Sequence, residues 1–306
     1  MASTLFYPLS ILTLFTLLTS ILASPMMIMT VHPPRHATSN VSFESDIPIY
    51  AKVSATDIPF PRIPTYQNNN SSTRPKTPHL PGHTRYRNDT TTETVPVGTM
   101  ITDCAVPGTI ALTYDDGPSH YTPKLLDVLL EYDVRATFFV NGYHLQHEEY
   151  TEYLKRASEE GHQIASHTYD HPQLPSLDYD GIYEQMTRLS AKIRDITGRA
   201  PTYMRPPYLE VNDLVLSVLG DLGYRVISAS IDTKDYKHDT PWLIDHSYER
   251  FVEELEAGGT IVLAHDTHRQ TVETLTREML EGTKLRGLKA VTVGECLGES
   301  ERLWYR

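Results

Sequence analysis

The sequence predicts an α/β fold: a distorted (β/α) barrel of about seven parallel strands, preceded by a disordered N-terminal stalk. Three observations lead there. Beyond Gly108, short apolar runs alternate with amphipathic stretches of helical period. Ahead of that region lies a segment rich in Pro, Ser, Thr and Asn, without sustained periodicity. The charge balance also changes at the join: the first hundred residues hold seven Lys/Arg against five Asp/Glu, and the remainder 20 against 34.

The chain opens with an apolar stretch over residues 5–22, followed by the small residues Ala23 and Ser24, the pattern of a secretory signal peptide spanning 1–23. No Lys or Arg precedes the stretch and it nears membrane-spanning length, so an uncleaved anchor is the alternative. With the signal cleaved, no stable membrane insertion is expected, and the protein is secreted, to the extracellular space or cell wall. Residues 24–97 read as the stalk, because their composition buries too little apolar surface to offset chain entropy. The stalk carries glycosylation sequons at Asn40, Asn69, Asn70 and Asn88, with none after Val97.

Residues 98–306 then form the folded domain. The apolar runs lie at 110–114, 136–140, 163–166, 202–204, 225–230, 260–264 and 288–293. Between them, residues 123–132 place Leu125, Val128 and Leu129 on one helical face, and residues 183–197 do the same with Met186, Leu189 and Ile193. Gly161, Gly198, Gly223 and Gly258 stand where such helices would stop. Repeated βα units imply a parallel sheet, and about seven of them imply curling toward a barrel. Cys104 and Cys296, the chain's two cysteines, sit at the two ends of this domain. In a secreted chain they read as a disulfide joining start to end, with two buried free thiols as the alternative. A net charge of −12 without any Lys/Arg cluster excludes nucleic acid as a partner. A monomer is expected.

The unusual polar residues gather at the C-terminal ends of the apolar runs: Asp115-Asp116-Gly117, His167 with His171, Arg205, Asp232 with Asp235, and His265-Asp266. In a parallel barrel these ends share one face, where active sites are built. Asp115 and Asp116 repel each other and gain from a nearby cation. Strand alternation would set them on opposite sides, one ligating a metal and the other free as a base, although Asp-Asp-Gly can also serve as a plain turn. His167 and His171 can meet at one ion, and with one carboxylate they leave positions open for water and substrate. Pro172 puts the pair on a loop. Arg205 is a permanently charged fork able to hold a carboxylate, or else a surface arginine before the rigid Pro206-Pro207 segment that presents Tyr208. His265 can donate a proton, with Asp235 raising its pKa. Taken alone, either of these two could be structural.

These segments, in this order, resemble the polysaccharide deacetylases of carbohydrate esterase family 4, the NodB homology domain, and especially fungal chitin deacetylases. The resemblance covers residues 106–298. Thr113-Tyr-Asp-Asp-Gly117 matches Thr-Phe-Asp-Asp-Gly, His167-Thr-Tyr-Asp-His171 matches His-Ser/Thr-x-x-His, and Arg205-Pro-Pro-Tyr208 matches Arg-x-Pro-Tyr. Asp232-Thr-Lys-Asp-Tyr236 resembles Asp-x-x-Asp-Trp, and Leu263-Ala-His265 matches Leu-x-His. The resemblance implies hydrolysis of N-acetyl groups from chitin or chitin oligomers, giving chitosan and acetate. It further implies Asp115 as base, His265 as acid tuned by Asp235, and Arg205 orienting the base. Asp116, His167 and His171 become ligands of zinc, or sometimes cobalt, which holds the attacking water. Tyr208, Tyr236 and Leu263 become substrate contacts. Two departures bear on substrate fit: Tyr236 replaces a usual Trp, and Leu209 stands where Gly is common. Acetylxylan or another polysaccharide is the alternative substrate, and a non-catalytic carbohydrate-binding wall protein the alternative class.

Overall fold

The computed structural model describes residues 95–306. The signal segment, the stalk up to residue 94 and the sequons at Asn40, Asn69, Asn70 and Asn88 lie outside the described residues.

Among the described residues nine strands form one sheet: β1 Met100–Ile101, β2 Thr109–Asp115, β3 Thr137–Val140, β4 Gln163–Ser166, β5 Tyr203–Met204, β6 Arg225–Ile227, β7 Ile231–Asp232, β8 Ile261–His265 and β9 Lys289–Val291. Every pairing is parallel, in the order β1-β6-β5-β4-β3-β2-β8-β7, with β9 beside the opening residues of β2. The path ends on β1 at one edge and β7 at the other, so the sheet curls into an incomplete barrel. Two strands exceed the seven expected. β1 and β7 have two residues each, too few to leave a period in the sequence. The single run expected over 225–230 is in fact β6 followed by a crossing of the open seam. There Ser228 N donates to Ile101 O at 2.7 Å and Ser230 N to Ile261 O at 3.0 Å before β7 begins.

Helices α1 Thr122–Glu131, α2 Glu148–Glu159, α3 Tyr179–Thr197, α4 Asp213–Asp221, α5 Ile244–Glu256 and α6 Thr276–Leu285 cover the outside, and the short α7 Val293–Cys296 follows β9. α1 starts with Pro in its first turn and buries Leu125, Leu126, Val128 and Leu129, the expected face plus one residue. α3 begins four residues before the expected start because the Asp178 side chain caps it, accepting from Gly181 N at 2.9 Å, and it stops at Gly198 with φ 78°.

The period-two alternation of the strands sorts side chains into two layers. Ile110, Leu112 and Tyr114 of β2, Phe138 and Val140 of β3, Ile164 of β4 and Val262 and Ala264 of β8 pack outward against helices. Ala111, Phe139, Ala165, Tyr203, Ile227 and Ile261 fill the interior. Each fully buried aliphatic side chain contributes about 1.5–3 kcal/mol relative to exposure. At the N-terminal ends of the strands the barrel is plugged. Val293 N of α7 donates to Thr137 Oγ1 at 2.9 Å and Gly294 N to Gln163 Oε1 at 2.9 Å. Trp304 lies so close that a Cβ on Gly294 would sit 2.0 Å from its Nε1. Cys104 and Cys296 form the expected disulfide across a separation of 192 residues.

Candidate active site

The same alternation that fills the barrel builds the site at its other end. Asp115 follows Ala111 and Thr113 on the inward register of β2, and it is paired in register with His265 of β8. His167 follows Ala165 just past β4, and Arg205 follows Tyr203 just past β5. Asp115, His167, Arg205 and His265 are therefore the uppermost inward positions of four strands. Asp116 breaks the pattern. Its φ of 72° turns the chain back, so Asp115 and Asp116 line one cavity and not opposite sides of the sheet, as strand alternation alone had implied.

The cavity, about 460 Å³, is lined by Asp115, Asp116, His167, His171, Tyr208, Leu209, Asp232, Lys234, Tyr236, Leu263, His265 and His268, with Pro206. Every substrate contact expected from the sequence (Tyr208, Tyr236 and Leu263) borders it. Left-handed backbone at non-glycine residues gathers here, at Asp116, Thr168, His171, Tyr208, Leu209 and Lys234. Such conformations cost about 1 kcal/mol or more each and persist where the surroundings enforce them. Leu209, φ 59°, shows why glycine suits that position.

Arg205 is completely buried, which removes the surface-arginine alternative. Its Nη1 donates to Asp115 Oδ1 at 2.7 Å and to Thr113 Oγ1 at 2.6 Å, its Nη2 to Ser228 O of the seam at 2.8 Å, and its plane lies 4.2 Å from the Phe139 ring centroid. Burial pushes the Asp115 carboxyl up from its ordinary value, against the pull of Arg205 and His265. The Arg205 backbone also matters: its carbonyl sits 2.7 Å from His167 Nδ1. A carbonyl only accepts, so Nδ1 carries the proton and Nε2 is left with its lone pair. Burial lowers the His167 pKa to about 3, keeping the ring neutral.

That lone pair faces two others. His167 Nε2 is 3.2 Å from His171 Nε2 and 3.5 Å from Asp116 Oδ1, while His171 Nε2 is 3.4 Å from the same oxygen. Asp116 Oδ1 is buried without a hydrogen-bond partner. An orphaned carboxylate oxygen and two imidazole nitrogens converging on one point are costly without a cation between them. With one, they make the two-nitrogen, one-oxygen donor set of a metal site with open positions. The residues fit a metal.

Across the cavity, His265 Nδ1 meets Asp235 Oδ1 at 2.7 Å. Asp235 Oδ2 accepts the His265 backbone N–H and the Thr271 hydroxyl, both at 2.7 Å. Burial works against charge on His265, but Asp235, with Asp115 and Asp116 behind it, raises its pKa to about 9. Burial likewise opposes charge on Asp235, and the His265 cation with its hydrogen bonds holds it below its ordinary value. His265 Nε2 points at the metal side, 4.0 Å from Asp116 Oδ2.

Residues without a role assigned by sequence reasoning also support the site, four of them notable. Thr113 and Thr271 brace Arg205 and Asp235. Asp266 is fully buried, accepts from Thr122 Oγ1 at 2.6 Å, and stands where a Cβ on Gly117 would fall 2.2 Å from its oxygens. Gly117 is thus required by close approach. Burial raises the Asp266 pKa to about 7. His268, the fourth, shares the segment of His265, and a second histidine three residues on was the available signal.

Comparison with known proteins converges on the same reading. A family model described as polysaccharide deacetylase matches residues 102–227. A chitin deacetylase of Pestalotiopsis sp is 51% identical over 213 residues, 69% of this chain and 71% of that protein. A chitin deacetylase of Colletotrichum lindemuthianum is 46% identical over 219 residues, 69% of this chain and 88% of the other. The solved structure of the Colletotrichum lindemuthianum enzyme superposes with a TM-score of 0.68, covering 69% of this chain and 97% of its own. A Bacillus anthracis protein described as a CE4 family pseudoenzyme is 27% identical with a TM-score of 0.59, covering 65% of this chain and 69% of its own.

Proposed function

This chain belongs to the polysaccharide deacetylase family, and on that premise we propose that it removes N-acetyl groups from chitin or chitin oligomers, releasing acetate. One observation carries the reading: the unpartnered Asp116 Oδ1 converges with the Nε2 atoms of His167 and His171 beside Asp115 and His265. We assign Asp116, His167 and His171 as ligands of zinc, which this donor set suits, with cobalt as a substitute. When bound, the metal supplies a Lewis acid that polarises the acetyl carbonyl and the attacking water.

The chain's own residues supply the rest. Asp115, its Oδ1 held by Arg205, takes the proton of the water as it attacks; burial makes it a stronger base than a free carboxylate. His265, kept protonated by Asp235, gives the Nε2 proton to the departing amine nitrogen. The backbone N–H of Tyr208, beside His171 on the rim, is assigned to the developing oxyanion. Tyr208, Tyr236 and Leu263 present the apolar surface that a sugar ring requires. The disulfide suits an oxidising compartment, in keeping with secretion of a signal-bearing chain with a glycosylated stalk.

Acetate release from chitin oligomers by the full chain tests this, with chelated, zinc-restored and Asp115→Asn protein side by side. Release that needs both zinc and Asp115, with the variant down about 1,000-fold, is the expected result. Release from acetylated xylan alone would move the substrate; a folded, zinc-loaded protein silent on every acetylated glycan would refute the enzyme and favour a binding protein.

A further inference from the structure

Two histidines of one segment border the cavity, and each has a carboxylate from the loop after β7 at its Nδ1. His265 with Asp235 belongs to the proton transfer described above. His268 with Asp239 does not. His268 Nδ1 lies 3.5 Å from Asp239 Oδ2. Asp239 is itself fixed by the segment it serves, because its Oδ1 accepts the Gln270 backbone N–H at 2.7 Å. The His268 backbone is tied as well, its carbonyl accepting from Val272 N at 3.3 Å. A carboxylate favours a proton on the nitrogen it faces, so Nε2 is the ring's open polar atom beside the cavity.

The placement of the ring narrows what it could meet. His265 is met edge-on by Tyr236, ring centroids 5.6 Å apart at 84°, and by His268, 5.6 Å apart at 78°. His268 is not among the donors that converge with Asp116, and among the described residues it makes no hydrogen bond or ion pair with Asp115 or Arg205. Its side chain keeps 28% exposure at the rim. An exposed aromatic residue, Tyr236, and a planar hydrogen-bonding edge, His268, thus both lie beside the proton donor. A saccharide offers both matching surfaces: the C–H face of the ring and its hydroxyls.

We propose that His268, oriented by Asp239, is a specificity-determining residue whose Nε2 binds a sugar hydroxyl on the His265 side of the reacting N-acetyl group. The inference rests on the deacetylase reading of the site. It requires nothing further from the metal or from the proton transfers.

Kinetics of the full chain on chitin oligomers, with kcat and KM separated, test it. His268→Ala raises KM about tenfold, the loss of one hydrogen bond to substrate, with kcat within about twofold of wild type. His268→Asn, which restores a polar edge, recovers part of the loss. Asp239→Asn raises KM by about threefold by freeing the ring. Unchanged KM in His268→Ala, or a fall in kcat at constant KM, overturns the inference while leaving the deacetylase intact. Recovery of KM by Asn but not by Leu at 268 separates a contact from mere packing, and equal recovery by both overturns it. Wild-type protein without acetate release on any oligomer would instead overturn the reading on which the inference stands.

Discussion

At the N-terminal ends of the strands, Glu299 accepts from Arg225 Nε at 3.1 Å and from the Tyr203 hydroxyl at 2.7 Å, and its backbone carbonyl takes the Trp304 indole N–H at 3.2 Å. At the C-terminal ends, Arg205 holds Asp115 just as firmly. One residue further on, though, Asp116 Oδ1 has no partner, and two imidazole nitrogens face it. Both ends bury an arginine–carboxylate pair inside one barrel. At one end both carboxylate oxygens of Glu299 have partners, and the pair stabilises the fold. The other keeps open valences, held by left-handed backbone at Asp116, His171, Tyr208, Leu209 and Lys234 around the cavity, and can take a cation and a substrate. An unsatisfied buried carboxylate oxygen costs stability, and its convergence with two imidazoles at the end that lines the cavity marks where function lies.

The comparison can be broken most forcibly at Arg205, which combines both roles. Arg205→Met leaves Asp115 buried without its partner. It should lower stability by about 3–5 kcal/mol, as removing one member of a buried pair does, and cut kcat/KM by at least about 100-fold through loss of the oriented base. Denaturant unfolding and acetate release on the same sample check both. At the other end only the first effect should appear. Glu299→Ala should cost about 3 kcal/mol by leaving Arg225 unpaired, with turnover per folded molecule unchanged; a folded Glu299→Ala protein without activity would contradict the division between the ends. The smallest expected effect concerns pH. His265 holds its proton below about 9, so the acid form, and with it the rate, falls as pH rises through that value. Asp235→Asn removes the charge that most raises this pKa, and the falling limb of the pH–rate profile should move down by at least about one pH unit.

The strands that carry the site were legible where they were long. β2 and β8, of seven and five residues, appear in the sequence as largely apolar runs ending in Asp115 and His265. β1 and β7 were not, since two residues cannot display a period. The direction of Asp116 was misjudged for a related reason: alternation holds within a strand, and the φ of 72° that ends it is set by the turn into Gly117 packed against Asp266, a residue 149 positions away from Gly117 in the chain. The His268–Asp239 pairing was equally hidden, because each residue alone reads as a surface polar residue until two loops dock.

By itself, the sequence determined the class of fold and which polar residues stand at the strand ends, because apolar period and residue type are local properties of the chain. The tertiary structure decided which atoms meet. Long-range packing buried Arg205 against Asp115 and chose the His167 tautomer through a carbonyl of β5's end. It also left Asp116 Oδ1 without a partner and set one His–Asp pair beside another at the rim. Distance, burial and dielectric belong to the folded interior, and they set what a group of polar residues can do as proton acceptors, proton donors and metal ligands.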